Sequence, residues 1–150
     1  MNSFFVTCSS IGNYGHALTK GSFYEVIEYK DDKYRITGNH NKRVWISNSY
    51  FIEGKVIIPK IDKWKLDDDQ EEFDLIEATI EFSDGSKRWC LITTPEKLLN
   101  HFNEREMEPP GFNIRHLIIV KSITQNDINR TLIHLDEQDE IMNATIPLYE

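Results

Sequence analysis

The sequence is poor in features that announce chemistry. It carries two cysteines, Cys8 and Cys90, 82 positions apart and outside any CxxC pair. That spacing excludes a disulfide scaffold and a cysteine-rich zinc site, and free buried thiols are expected. Five histidines, His16, His40, His101, His116 and His134, form neither HxH nor HxxxH. Metal-ligand spacing is therefore missing, and neither metal nor cofactor is expected. No GxGxxG, GxxxxGK[ST] or GxSxG occurs, which removes the common dinucleotide, P-loop and serine-hydrolase readings. No apolar run approaches the ~18 residues of a membrane span. The opening Met1–Val6 lacks the basic start and apolar stretch of a secretory leader, so a reduced cytoplasmic location away from membranes is expected.

What is present is ordinary for a folded domain: 150 residues, 39% hydrophobic, 28% charged and 11% aromatic, with 7 Gly and 5 Pro. A chain of this length can bury a real core, or two small ones. The net charge is -8, unevenly spread. Residues 1–57 hold seven bases against five acids, a net of +2, whereas 58–150 hold ten against twenty, a net of −10. Such an acidic field repels phosphate backbones and attracts basic partners within a Debye length, about 8–10 Å. The expected partner is another protein, of basic character, and not nucleic acid.

The front half reads as short strands between turns: Phe4–Thr7, Phe23–Tyr29, Tyr34–Thr37 and Val44–Ile46, separated by Thr19–Ser22, Lys30–Lys33 and Gly38–Asn41. Strands of three to seven residues joined by tight turns favour a small barrel. Three stretches carry a likeness: Leu18-Thr19-Lys20-Gly21-x-x-Tyr24-Glu25-Val26, then Asp31-Asp32-x-Tyr34-Arg35-Ile36, then Val44-Trp45-Ile46-Ser47-Asn48-Ser49-Tyr50-Phe51. This order resembles a bacterial Src-homology-3-like (SH3-like) barrel, which implies such a barrel over 1–57. The family's proline-motif groove is a ladder of aromatic slots. Lys33 stands at its exposed-tryptophan position and Ser47 at its proline position, while Tyr50 stays in register. The resemblance thus implies a scaffold and not a reader of proline-rich peptides.

Residues 58–150 predict an α+β domain. Ile76, Ala78, Ile80 and Phe82 alternate with Glu77, Thr79 and Glu81, the pattern of a half-buried strand, and Arg88–Thr93 is its expected hairpin partner across Ser83–Ser86. Thr94 before Pro95 opens one helix, with Leu98, Leu99 and Phe102 as its apolar stripe, and Glu108–Gly111 stops it. Leu117–Val120 is a continuous aliphatic run, expected to be a strand buried on both faces. A homodimer through an open sheet face is one way to cover it. Thr124–Asp127 opens a second helix with Ile128, Leu132 and Leu135 at i, i+4 and i+7. The β-β-α-β-α order is α+β, with both helices on one sheet face. This half is loosely similar to uncharacterised bacterial proteins with a threonine-threonine-proline helix, an aliphatic strand and a second helix.

Two acidic clusters are partner-binding candidates. Asp67, Asp68 and Asp69 open a charge run that fails as a calcium loop, because Glu72 falls where glycine is required and Ala78 where the bidentate glutamate belongs. Asp136, Glu137, Asp139 and Glu140 lie at the second helix's C-terminal end, where the macrodipole disfavours anions, so a basic partner would neutralise them. On the barrel, Lys33, Tyr34, Arg35 and Tyr50 are face candidates. The expected function is a non-catalytic protein-interaction protein, in its specific form an immunity or antitoxin-like binder of a basic toxin. Two alternatives compete. One is an enzyme with an unrecognised site between the domains, which requires a deep pocket holding two or more of His101, His116, His134, Asp84 and Glu96. The other is weak single-stranded nucleic-acid binding by the barrel, which requires Lys33, Arg35, Lys42 and Arg43 to be contiguous beside an uncovered tyrosine.

Overall fold

Alternating side chains need a covering layer, and the front half provides it with two small sheets. A computed structural model describes residues 3–104 and 108–148. The first of two units comprises Met1–Pro59 with Glu137–Asp139. Its strands are β1 (Phe4–Cys8), β2 (Phe23–Val26), β3 (Glu28–Lys30), β4 (Lys33–Thr37), β5 (Arg43–Ser47) and β6 (Phe51–Glu53), with a 3₁₀ turn at Asn48–Tyr50 before β6. They form the sheets β2-β1-β6 and β3-β4-β5. Val6, Cys8, Tyr24, Val26, Tyr34, Ile36 and Ile46 meet in the core, joined by Leu18 from the long β1–β2 connection. The β3–β4 hairpin turns on Asp31 (φ 53°) and Asp32 (φ 60°), both left-handed, as a two-residue turn of primed type requires. Gly12 (φ 52°) must be glycine, since a Cβ there would lie 2.5 Å from the Tyr50 ring. Glu137–Asp139 is held in this unit by Ile11 N–H donating to Glu137 O (3.0 Å) and by Gln138 Nε2 donating to Gly12 O (3.0 Å).

The second unit, Lys60–Asp136 with Glu140–Glu150, is built on one sheet. It contains β7 (Ile61–Leu66), β8 (Ile76–Phe82), β9 (Lys87–Thr93), α1 (Pro95–Glu104), β10 (Leu117–Ile119), α2 (Gln125–Glu137) and β11 (Ile146–Pro147). The sheet order is β10-β9-β8-β7, with β11 also on β9. The β8–β9 hairpin pairs Ala78 with Cys90 and Thr79 with Trp89. β10 runs parallel to β9, Leu117 against Leu91, so a long crossover must separate them, and α1 lies in it. Both helix starts are as the sequence predicts: Thr94 Oγ1 accepts from Lys97 N–H (3.1 Å), and Thr124 Oγ1 from Asp127 N–H (3.2 Å). Ile128 and Leu132 of α2 pack with Ala78, Ile80, Phe82, Cys90, Ile92 and Ile118. Each of the isoleucine, leucine and phenylalanine side chains contributes roughly 1.5–3 kcal/mol by leaving water.

The protein is thus mixed α+β and mostly sheet, and among the described residues the strands form three sheets with no closed barrel. Neither helix is long and apolar enough to cross a membrane among those residues. Three expectations need correction. β7 and β11 are additional to the predicted strands, because the adjacent charges Asp62 and Lys63 break the alternation of β7 at its register shift and β11 is two residues long. Leu117–Val120 is not covered on both faces: Ile118 and Val120 are buried, but Ile119 is 51% exposed. As the terminal strand it needs only one covered face. Nor is the stripe of α1 buried, for Leu99 is 59% and Phe102 41% exposed, and Phe102 instead stacks on Phe112 at 5.3 Å.

Candidate functional site

The sheet of the second unit ends at β7, and no described strand pairs with its outer edge. Asp67 N–H donates to Glu77 O (2.7 Å), so the backbone of Asp67, and by alternation of Lys65 and Lys63, faces β8. The backbone groups of Trp64 and Leu66 therefore point outward. Their side chains lie on the sheet face that α2 covers, packed against the core rim. Between β7 and α2 runs a cleft of about 610 Å³. Ile61, Trp64, Leu66, Ile123, Ile128 and Ile133 make it apolar, and Asp62, Lys63, Gln70, Gln125 and Asn129 add polar groups. Apolar and polar groups thus share the lining, so an occupant would meet both side-chain contacts and hydrogen-bonding groups.

Two contacts fix its geometry. The Trp64 indole Nε1–H donates to Asn129 Oδ1 (3.1 Å), tying edge strand to helix and locking the ring. Ile61 N–H donates to Asp136 Oδ2 (3.2 Å), which holds the start of β7 at the far end of α2. A register shift between Ile61 and Lys63, with lysines at 63 and 65, discourages indiscriminate pairing at this edge.

The carboxylates of Asp67, Asp68, Asp69, Asp136 and Asp139 have structural partners, whereas Glu137 and Glu140 are engaged through their backbones. Asp136 is buried at 6% exposure and spends its carboxylate on Ile61, so it offers no surface to a partner. Helical spacing explains this, since Asp136 follows Ile128 and Leu132 at i+4 intervals on the buried face of α2. Beyond it the helix closes with Glu140 N–H donating to Leu135 O (2.8 Å) over left-handed Asp139 (φ 58°), so part of this cluster terminates a helix. Asp139 also lies 3.8 Å from the buried Lys20 ammonium. In the other cluster Asp67 accepts from Thr79 Oγ1 (2.6 Å), Asp68 from Glu77 N–H (2.9 Å) and Asp69 from Glu71 N–H (2.8 Å). These carboxylates shape the β7–β8 connection. Lys97, which the sequence did not single out, braces it by donating to the carbonyls of Gln70 and Phe73.

The four barrel-face candidates do not share a face. Tyr34 is 7% exposed and belongs to the core, because it alternates with Lys33 and Arg35 along β4. Burial holds its phenol above the usual tyrosine range. Tyr50 is half-buried and packs edge-on against Tyr14 at 5.5 Å. Lys33 and Arg35 do lie together on the outer face of β3-β4-β5, where Arg35 sits opposite Trp45 and Glu28, and Thr37 opposite Arg43. The uncovered ring there is Trp45, and Lys42 lies in the turn.

Reactive groups are few. Burial, reinforced by the Asp67 charge, pushes the Cys90 thiol up to about 12, and a thiol so held does not serve as a nucleophile near neutral pH. Cys8 is likewise buried and unbridged, its Sγ 3.3 Å from Ser10 O. His116 packs on Trp89 at 4.5 Å, His101 meets Phe112 edge-on at 5.6 Å, and Asp84 holds the β8–β9 turn through Ser86. Those Ser86 hydrogen bonds keep the Asp84 carboxyl below its ordinary value. Among the described residues, no three His, Cys, Asp or Glu side chains gather as a metal site would require. No family model matches the chain, and neither a curated protein nor a solved structure is detectably similar to it.

Proposed function

We propose that this is a non-catalytic protein-interaction protein that takes an extended segment of its partner into the β7–α2 cleft. One observation carries the reading: a strand edge that no described strand pairs with, the backbone of Trp64 and Leu66 turned outward, borders a cleft of mixed apolar and polar lining whose wall is a helix. A strand added there gains main-chain hydrogen bonds from the edge and side-chain selectivity from every second position. Ten bases against twenty acids over 58–150 favour a basic partner. Neutralisation of a basic toxin by an immunity-type protein is the specific form of this reading. The first unit is its scaffold, which we read as SH3-like. Support comes from five strand segments followed by a 3₁₀ turn and a last short strand, with β2 and β3 separated only by Ile27 yet feeding different sheets.

The test is selection of short linear peptides against the full chain, followed by amide-resolved NMR of the winners. Shifts confined to Ile61–Leu66 and the facing turn of α2, with sensitivity to N-methylation at alternate peptide residues, are the expected result. Trp64→Ala should weaken binding by about 2 kcal/mol, roughly thirtyfold. Peptides that bind as helices, or that leave the β7 amides unmoved, overturn the reading.

A further inference from the structure

The outer face of β3-β4-β5 carries a second surface with a different chemistry. Cross-strand register sets its membership: Glu28 and Lys30 from β3, Lys33, Arg35 and Thr37 from β4, Arg43, Trp45 and Ser47 from β5. Four cations thus share one pleated surface with one carboxylate. The Trp45 ring is 38% exposed, and the Arg35 guanidinium lies 5.9 Å over it, held by Glu28 at 3.0 Å. Lys30 and Lys33 are direct cross-strand partners. Like charges so placed repel, and a bound anion relieves them.

We propose that this face binds single-stranded nucleic acid, with a base stacked on Trp45 beside Arg35 and backbone phosphates held by Lys30, Lys33 and Arg43. A part-exposed indole with a guanidinium already placed over it distinguishes this surface from a merely basic one. Stacking on aromatic and arginine planes is how bases are held without sequence preference, whereas an acidic peptide has no use for the ring. The acidic second half opposes approach of the strand at low salt, and is screened beyond about 8 Å at physiological ionic strength. Affinity is therefore modest and set by local contacts. With three phosphates neutralised, it falls about twentyfold between 50 and 200 mM salt, from the single-strand slope of about −0.7 per contact.

Fluorescence polarisation of a labelled oligo(dT) titrated with the full chain tests this. Saturable binding at 50 mM NaCl is expected, with about a tenfold loss in Lys33→Glu and in Arg43→Glu. Trp45→Ala should weaken it and Trp45→Phe largely restore it, a pattern that charge alone does not produce. Lys121→Glu, the same charge change at an exposed position outside both this face and the cleft, is the control and should have a small effect. Absence of binding at 50 mM NaCl, equal losses in the control, or equal competition by polyglutamate would each overturn the proposal. None of these outcomes bears on the β7–α2 cleft, whose residues the variants on β4 and β5 leave untouched.

Discussion

Cys90 allows a quantitative check of how dry the second core is. Its side chain is fully buried on β9 beneath α2, and its thiol is pushed from an ordinary 9.0 to about 12, by burial first and the Asp67 charge second. Below pH 9 both the native and unfolded chains keep this proton, so the stability it supports is fully present. Above pH 9 the unfolded chain releases the proton while the native one retains it, until about pH 12. Stability is therefore lost as pH rises across that window, by about 1.4 kcal/mol per unit. At pH 10.5 the accumulated loss from this one group is about 2 kcal/mol. Cys90→Ala removes the titrating group and adds a packing loss that does not depend on pH. Urea unfolding of both proteins at pH 7.5 and 10.5, followed by tryptophan fluorescence, isolates the effect as a double difference. The variant should be the less stable at pH 7.5, and the gap should shift in its favour by about 2 kcal/mol at pH 10.5. An unchanged gap would mean that the thiol is solvated in the native state. The argument for an inert Cys90 would then fail.

Three further outcomes follow from the same contacts. Thr94→Ala and Thr124→Ala each remove an N-cap and should cost about 1 kcal/mol in urea unfolding, with Ser at either position restoring most of it. Arg88 donates to Thr145 Oγ1 (2.6 Å), Thr145 O (2.8 Å) and Met142 O (3.1 Å), so Arg88→Met should release β11 from β9. Hydrogen exchange should then accelerate at the Ile146 and Leu148 amides before the rest of the sheet opens, and unchanged protection there would refute the clamp. The Tyr29 hydroxyl donates to Asp32 Oδ1 (3.0 Å), and that bond and charge hold the phenol above its ordinary value. Asp32→Asn should therefore shift one tyrosine transition toward lower pH in an ultraviolet titration, and Tyr29→Phe should abolish that transition.

The cleft was hidden from sequence reasoning for a definite reason. In Ile61-Asp62-Lys63-Trp64-Lys65-Leu66 only Lys63–Leu66 alternates, because Asp62 sits in a register shift, and four alternating residues beside an acid run carry no clear strand signal. Only the pairing of Trp64 with Ile80 and Leu66 with Ala78 shows it to be a strand. The basic face, by contrast, was half legible. Period-two alternation places Lys33 and Arg35 together, and the same rule removes Tyr34 from their face. Trp45 as their neighbour required the β4–β5 register.

Local physics acts within a few residues, and on that scale the amino-acid order was sufficient. It determined the two helix caps, the β8–β9 hairpin, the buried thiol on β9 and the division between a weakly basic front and an acidic back. Contacts that join distant positions obey no local rule. Asp136 meets Ile61 across 75 residues and Trp64 meets Asn129 across 65, so a carboxylate that looks like a surface charge becomes a backbone anchor and a strand edge acquires its helical wall. Those pairings form only once α2 packs on the sheet, because burial of Ile128 and Leu132 is what brings them within hydrogen-bonding distance.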